Sequence, residues 1–299
     1  DASPEKALED VPDILQALAD VDMHAIQTSG SCIRNVTTDQ FAGAAADEQI
    51  DPRPFCELLR QWSTSHPEFE WLPRKFKIAA TGATQDRAAI GVHDIGMRLY
   101  GDDASPENAL VDIYAGGGLG RTPVLGALIY QGLPIKHLLT YTEAIMRVYN
   151  RYGRRDNKYK ARIKILVRAL TAEGFKAKVD EEWTHLKDGV STVPADTFQR
   201  LGEFFTPPAY TDQPDVSATL ADQRLTHPAF NRWLTHNVGP HKREIMVITC
   251  RDLAKNQLTV LPSGVFDKNT ALSVLYVERD NWGVKSEYTS LKTVDRELS

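Results

Sequence analysis

The sequence predicts an α+β fold built on a mixed β-sheet. Stretches with the period-two pattern of strands alternate with amphipathic helical stretches, and their spacing departs from a regular βαβ repeat. The composition, 42% hydrophobic and 25% charged over 299 residues, is typical of a globular protein. At this length we expect two domains, or one large domain with appendages.

The first predicted elements are an amphipathic helix and a short strand. From Pro4 to Asp20 apolar residues recur at helical spacing, and His24 to Thr28 is predicted as a strand that leads into a polar stretch. A second helix is predicted at Asp51, a good N-cap residue, with Pro52 in its first turn. We expect the first helix to pack against another surface, inside or outside this chain.

The middle of the sequence supplies the rest of the main domain. Strands are predicted at Lys75 to Ala80 and at Asn108 to Ala115. Helices are predicted to begin at Pro134 and at Asn157, and the domain is predicted to end near Leu186.

A linker and a smaller unit are predicted after this domain. Residues 188 to 223 contain prolines at 194, 207, 208 and 214 and few periodic signals, which is typical of a linker. From Phe230 onward a smaller unit is predicted, with strands at Ile245 to Thr249 and at Ala271 to Val277.

Charge and cysteine content restrict the function classes. The formal net charge is −5 and the pI is about 5.9, so we expect no nucleic-acid partner and no membrane, and any anion site must be local. No apolar run reaches the roughly 20 residues of a membrane-spanning helix, and no signal-peptide pattern opens the sequence. Cys32, Cys56 and Cys250 form no C-x-x-C pair, which fits free thiols in a reducing compartment. A cytoplasmic location is therefore expected.

Two lysines on a predicted strand form the first candidate anion site. In an extended strand, Lys75 and Lys77 emerge on one face while Phe76 and Ile78 enter the other. Two like charges held side by side repel each other, so a bound anion or free exposure to water must compensate. A solvated edge strand that uses lysines against aggregation is the alternative interpretation.

Further cations lie in a polar loop and in a basic run. Arg34 follows a predicted strand among small polar residues, where it could equally be a surface arginine. The basic run extends from Arg151 to Lys164 and is predicted to lie at the entrance to a helix. The N–H groups and dipole of a helix N-terminus favour an anion, and arginine adds bidentate donors. A solvated helix face is the alternative.

The glycine-rich loop Gly116 to Gly120 follows a predicted strand but matches no nucleotide motif. It fails G-x-G-x-x-G from either Gly116 or Gly118, and it lacks the Gly-Lys-Ser/Thr ending of a P-loop. Close approach of the backbone to a flat or bulky ligand, or a tight turn for packing, can explain it. His93 and Asp94 could form a hydrolase-like pair, but no nucleophile elbow accompanies them, and a structural histidine is expected.

Four segments occur in the order found in the assimilatory sulfite and nitrite reductases, and the sequence resembles their sirohaem-containing hemoprotein. These segments are Thr28 to Val36, Leu72 to Lys77, Gly116 to Gly120 and Arg155 to Lys160. The resemblance extends over about residues 5 to 242. It implies an α+β fold in which a mixed-sheet sirohaem-binding module is flanked by partial ferredoxin-like half-domains.

The resemblance implies an oxidoreductase that reduces sulfite to sulfide, or nitrite to ammonia, with six electrons at sirohaem iron. It assigns Arg34, Lys75 and Lys77 to catalysis, where they would hold the anion and deliver protons. The residues that it implies for sirohaem binding are Arg34, Asn35, Arg74, Lys75, Lys77, Gly117, Gly118, Arg155 and Asn157. The implied electron donor is ferredoxin or a flavoprotein.

Clustered cations suit this chemistry. Each N–O or S–O cleavage expels oxide that must be protonated, so cations stabilise the developing charge and lysine can also act as an acid. Mutual repulsion should lower the pKa values of the lysines.

The sequence departs from the family in two respects. The family's second half carries a C-x5-C and a C-x3-C pair that bind a 4Fe-4S cluster, with one thiolate bridging to the sirohaem iron, and this sequence has neither pair. The arginine of a T-x-R-Q motif is also missing upstream of the first helix. We therefore expect an incomplete reductase with little or no six-electron activity by itself.

The resemblance implies four parts of the chain. Residues 1–24 would end a first ferredoxin-like half-domain, 25–187 would form the first sirohaem-binding module, 188–229 a linker, and 230–299 a truncated or diverged start of the second half-domain. Two other functions stay open at this point: a non-catalytic tetrapyrrole- or oxyanion-binding remnant, and a precorrin-modifying relative.

Overall fold

The computed structural model describes residues 8–21, 23–27, 29–206, 217–240, 246–248, 272–280 and 283–289. The chain divides into two units, the first made of Asp1–Ala42 and Gln49–Phe205, the second of Gly43–Glu48 and Thr206–Ser299. Some sequence predictions fall outside the described residues: Thr28 of the first motif, prolines 207, 208 and 214 of the linker, and the end of the resemblance at His241-Lys242.

A five-stranded mixed sheet organises the first unit, as predicted. Its strands, in spatial order, are β1 (Ile33–Thr37), β2 (Phe76–Thr81), β3 (Ile95–Tyr100), β4 (Leu110–Ala115) and β5 (Ala127–Pro134). Strands β1, β2 and β3 run parallel, whereas β4 and β5 add antiparallel pairs. The starts of the three parallel strands therefore lie along one edge of the sheet.

Five helices accompany this sheet within the described part of the first unit. They are α1 (Val11–Ala19), α2 (Arg53–Ser63), α3 (Leu138–Tyr152), α4 (Ile163–Trp183, kinked at Thr171) and α5 (Ala195–Gly202). The interior is apolar and aromatic, and α3 contributes the fully buried Tyr141 and Tyr149. None of the described helices is long and apolar enough to cross a lipid bilayer.

The helix predicted near Asp51 is present as α2, with Pro52 rather than Asp51 as its N-cap. The Asp51 carboxylate accepts a hydrogen bond from the Arg53 backbone N–H at 3.0 Å, which satisfies a free donor at the start of α2. The alternation around Lys75 is also confirmed, because Phe76 and Ile78 are buried while the two lysines remain half-exposed.

Several element assignments were wrong. Residues 24–27 form no strand; the first strand is β1, anchored by the buried Ile33. Pro134 ends β5 rather than opening a helix, and α3 begins at Leu138. Asn157 caps only the short turn Lys158–Lys160, and α4 begins at Ile163, so most of the basic run precedes α4 and only Lys164 lies in its first turn.

Strand β3 was missed by the sequence analysis, and its local signal is short. Ile95, Gly96 and Met97 are all buried, as expected for a central strand covered on both faces, and burial alternates only from Met97 to Tyr100. The predicted linker is also partly wrong: α5 lies within it, and its Phe198 and Leu201 belong to the hydrophobic core.

The described part of the second unit contains a small mixed sheet and two helices. The helices are α6 (Ser217–Thr226) and α7 (Pro228–Asn237). The strands are β6 (Val238–Pro240), β7 (Met246–Ile248), β8 (Leu272–Asp280) and β9 (Gly283–Thr289), in that spatial order. Both strands predicted from the sequence in this region are therefore present, as β7 and β8.

Candidate functional site

Predicted site residues meet where β1 and β2 begin. Arg34 is the second residue of β1, Lys77 is the second residue of β2, and Lys75 immediately precedes β2. The two strands are parallel neighbours, and Asn35 pairs with Lys77 across them. Segments more than 35 residues apart in sequence are thus adjacent at one sheet edge.

The electrostatics of Lys75 identify its charged neighbours. Burial lowers the pKa of Lys75 below its ordinary value of 10.5, and the positive charges of Arg34, Arg162, Lys77 and Arg74 lower the pKa further. We refer to these five residues, Arg34, Arg74, Lys75, Lys77 and Arg162, as the cation cluster. Such a concentration of positive charge favours a bound anion.

The Asp94 carboxylate contacts two residues of the cation cluster, Lys77 and Arg162. The Asp94 side chain is fully buried and accepts hydrogen bonds from Arg162 Nε at 3.0 Å and from Arg162 Nη2 at 2.7 Å. It also accepts a bond from the Lys77 backbone N–H at 2.9 Å. Burial raises the pKa of Asp94, and the Arg162 charge opposes that rise. No hydrolase-like pair forms, because His93 Nδ1 is paired with the Ala89 carbonyl at 2.9 Å.

Tyr149 fixes the backbone that presents Arg162. Its hydroxyl donates to the Ala161 carbonyl at 2.8 Å, inside the core. Burial, and then the Asp94 charge, raise the pKa of Tyr149, so the hydroxyl remains a donor at physiological pH. The backbone of Arg162, at the N-cap of α4, is therefore held in place by the neighbouring Ala161–Tyr149 hydrogen bond.

The glycine-rich loop is held between a turn and the start of α4. Gly116 has φ +87°, and a Cβ on Gly117 would lie 2.4 Å from the carbonyl oxygens of Gly91 and His93. A Cβ on Gly118 would press on the Lys164 side chain at 3.0 Å. Internal packing thus gives a reason for these glycines, and the predicted contact of Gly117 and Gly118 with a cofactor stays a prediction.

Lys164 secures the same loop from α4. Its Nζ donates to the Leu119 carbonyl at 3.0 Å and to the Thr122 carbonyl at 2.7 Å. Lys164 of the basic run therefore stabilises the glycine-rich loop instead of lying on a solvated helix face.

Arg155 and Asn157 have other surroundings. Arg155 donates to the Asn150 backbone and side-chain oxygens, and it lines a cleft of about 290 Å³ with Glu68, Arg147, Asn150, Arg151 and Glu182. Asn157 accepts from the Tyr159 N–H at 3.0 Å. Neither residue hydrogen-bonds to the cation cluster within the part of the chain that the structure describes, and their role toward a cofactor stays a prediction.

Sequence reasoning left Arg162 and Asp94 out of the predicted site. Arg162 was visible only as one member of a basic run, and Asp94 as an acid in an apolar stretch. The signal that could have singled out Asp94 is its setting, because an acid flanked by residues that become buried needs a charged partner.

The donor set can be compared with the two cofactors that the resemblance implies. Cys32 and Cys56 are buried free thiols, and no group of three or more metal-ligating side chains occurs among the residues that the structure describes. The whole sequence has three cysteines, whereas a 4Fe-4S cluster takes four thiolates, so this chain does not fit a cluster. The half-buried cation cluster does fit the several carboxylates of sirohaem and an oxyanion.

Fold and site together define an α+β module whose mixed sheet carries the cation cluster at the start of its parallel strands β1 and β2. The family model described as the nitrite and sulphite reductase 4Fe-4S domain matches residues 29–187, more than half of the chain. The chain belongs to this nitrite and sulphite reductase family, as the motifs predicted.

Similar proteins agree with this assignment. Sulfite reductase (ferredoxin) 1 of Mycolicibacterium paratuberculosis is 31% identical over 189 residues, which cover 62% of this chain and 33% of the relative. The chloroplastic ferredoxin–nitrite reductase of Arabidopsis thaliana is 28% identical over 185 residues, covering 58% of this chain and 30% of the relative. The chain thus spans about a third of the length of the curated relatives it matches.

A solved structure shows the same fold. The NirA protein of Mycobacterium tuberculosis superposes with a TM-score of 0.56 and 24% sequence identity, over 80% of this chain and 37% of that protein. The predicted α+β nitrite/sulfite reductase-like fold is confirmed.

Proposed function

We propose that this chain is the sirohaem- and oxyanion-binding part of a nitrite or sulfite reductase, an enzyme that reduces sulfite to sulfide or nitrite to ammonia with six electrons. The observation that carries the proposal is the convergence of Arg34, Lys75 and Lys77 at one sheet edge within a larger cation cluster. Two separate strands and the start of α4 contribute to it, which a merely solvated edge strand does not require.

Cofactor binding would rest on charge pairing. Arg34, Arg74 and Arg162 are the arginines of the cation cluster, and arginine pairs with carboxylates through two parallel N–H···O bonds. Asn35 is exposed beside Lys77 and adds a neutral donor. When bound, sirohaem supplies the redox-active iron at which the anion is reduced.

Lys75 and Lys77 would handle the anion and its protons. Both ammonium groups attract sulfite or nitrite, and both can donate protons to the oxide released at each N–O or S–O cleavage. The lowered pKa of Lys75 makes this ammonium group a stronger acid than an ordinary lysine. Arg34 would hold the oxyanion while protons move, since its guanidinium offers several N–H donors.

The electron donor and the location are part of the same proposal. Relatives carry the names sulfite reductase (ferredoxin) and ferredoxin–nitrite reductase, which supports ferredoxin as the donor, with a flavoprotein as the alternative. A cytoplasmic location is proposed from the sequence. No electron-transfer step is assigned to the cysteines of this chain.

Absorption titration of the purified chain with sirohaem tests the proposal. We expect a shifted Soret band with saturation, and a second shift when sulfite or nitrite is added. With a chemical reductant we expect no sustained turnover, because the thiolates for a cluster are missing. A Soret band identical to that of free sirohaem at all protein concentrations would contradict the proposal.

A further inference from the structure

Three separate segments of the site are joined through Asp94. Its carboxylate bonds to Arg162 at the start of α4 and to the backbone N–H of Lys77 in β2. Its own carbonyl oxygen accepts the N–H of Gly116, the first residue of the glycine-rich loop, at 3.0 Å. One residue just before β3 thus connects the strand, the helix and the loop.

Within the described part of the chain, the Asp94–Arg162 ion pair leaves Nη1 of Arg162 free to donate to a ligand. Nε and Nη2 of Arg162 are both bonded to Asp94, whereas Nη1 has no hydrogen-bond partner among the residues that the structure describes. The Arg162 side chain is 26% exposed and the Asp94 side chain is 0% exposed. The buried edge of the guanidinium is therefore fixed, and its remaining donors lie toward solvent beside Lys75.

We propose that Asp94 is a positioning residue of the anion site, holding Arg162 in the orientation in which Nη1 can bond to an anionic ligand of the cation cluster. This inference rests on the proposed function, because the ligand is a sirohaem carboxylate or the oxyanion. Asp94 itself touches no ligand; it acts through Arg162 and through the position of Lys77.

Asp94 could act through its negative charge or through its orientation of Arg162, and the two roles predict opposite effects of Asp94→Asn on anion affinity. Removal of a negative charge next to the cation cluster would strengthen anion binding if Asp94 acted only through its charge. If Asp94 orients Arg162, the same substitution weakens binding, because the asparagine NH2 group that replaces one carboxylate oxygen cannot accept from the donors that face it. The sign of the change therefore separates the two roles.

The experiment titrates sirohaem into the wild-type chain and into the Asp94→Asn, Arg162→Lys and Asp94→Asn/Arg162→Lys variants. We expect each single variant to weaken the affinity by about tenfold or more, the magnitude of one lost charge-assisted hydrogen bond. We expect the double variant to be no weaker than the worse single variant, because both changes remove the same interaction. Arg162→Lys keeps the charge, so it remains informative if Asp94→Asn does not fold.

Asp39→Asn is the matched control. Asp39 has a 1% exposed side chain and is paired with Arg87 at 2.6 Å, so it is also a buried acid held by an arginine. It follows the end of β1, whereas Asp94 precedes β3, and the parallel strands place the two acids at opposite sheet edges. We expect Asp39→Asn to lower the free energy of unfolding but to leave sirohaem affinity unchanged.

A second measurement needs no ligand. In the wild-type chain we expect the Arg162 Nε–H to give a dispersed, slowly exchanging signal in ¹⁵N NMR spectra, and we expect Asp94→Asn to abolish it. Unchanged or tighter sirohaem binding by the folded Asp94→Asn and Arg162→Lys variants would overturn the inference about Asp94 but would leave the proposed function standing. Absence of sirohaem binding by the wild-type chain would overturn the proposed function together with the inference.

Discussion

The Arg162 guanidinium donates to both oxygens of the fully buried Asp94 carboxylate, at 2.7 Å from Nη2 to each. This pair ties the N-cap of α4 to the residue that precedes β3, across 68 positions of sequence. It places a charged residue of α4 beside cations that come from β1 and β2. The cation cluster is therefore a product of the tertiary fold.

The first prediction concerns the pH dependence of anion binding. The pKa of Lys75 is lowered by burial and then by Arg34, so Lys75 should lose its charge at a pH below the ordinary lysine range. Anion affinity is thus expected to be highest at lower pH and to fall as the pH rises through this lowered pKa. Lys75→Arg, which stays charged, should move the fall to higher pH.

Sirohaem or sulfite titrations at a series of pH values check this prediction, with Lys136→Arg on an exposed turn as the control. The free energy of unfolding should also rise with pH between the folded and unfolded pKa values of Lys75, because the unfolded chain binds more protons there. Identical pH profiles for the wild-type chain and Lys75→Arg would show that Lys75 does not control binding.

The second prediction concerns the glycine-rich loop. Gly117→Ala would place a methyl group 2.4 Å from two carbonyl oxygens, so we expect a loss of about 1–3 kcal/mol in the free energy of unfolding. At Gly202, at the end of α5, nothing lies within 4 Å of an added Cβ. Gly202→Ala should leave stability unchanged or raise it by up to about 1 kcal/mol. Urea unfolding measures both, and equal stabilities would refute the packing explanation of Gly117.

The third prediction concerns the two described cysteines. Burial, and then the Asp51 charge, raise the pKa of Cys56 to about 12, and burial also raises the pKa of Cys32. Both should remain protonated thiols at neutral pH and react slowly with iodoacetamide until the chain is denatured. Peptide mass spectrometry of native and denatured samples detects this, and rapid native labelling at either position would contradict the described burial.

The fourth prediction concerns α1. Ile14 and Leu15 are 55% and 47% exposed, and no residue of this helix is buried. Ile14→Lys/Leu15→Lys should therefore change the free energy of unfolding by less than about 1 kcal/mol. Leu59→Ala, in the core at 0% exposure, should cost about 2–5 kcal/mol. A large loss from the α1 variant would mean that its apolar face is packed.

Much of the fold was accessible from sequence because its signals are local. The hydrogen bond of the Asp51 side chain at the start of α2 and the alternation from Lys75 to Ile78 each depend on neighbours within a few residues, and both are present in the structure. Strand β3 gives a weaker local signal, because its first three residues are all buried and burial alternates only from Met97 to Tyr100. Helix α5 was not predicted because prolines surround it, which is typical of a linker. Tertiary packing nevertheless buries its Phe198.

The candidate site was predictable only in part, because some of its residues lie in local motifs whereas others meet only through the tertiary fold. Arg34, Lys75 and Lys77 could be selected because the motifs carry them, and β1–β2 pairing brings them together. The partnership of Asp94 with Arg162 spans 68 positions and has no local pattern. Arg155 was implied for sirohaem binding by the resemblance; in the structure it lines the cleft with Glu68 and Glu182, and its role toward a cofactor stays a prediction.

The most direct measurement compares sirohaem affinity in two triple variants that each remove one arginine and two lysines. Arg34→Ala/Lys75→Ala/Lys77→Ala removes charge from the cation cluster, and Lys136→Ala/Lys187→Ala/Arg200→Ala removes equal charge from exposed positions elsewhere. We predict that the first variant, folded by circular dichroism, loses at least about a hundredfold in affinity, as expected for several charge-assisted bonds, while the second binds like the wild-type chain. Equal affinities of the two variants would contradict the assignment of the cation cluster as the site.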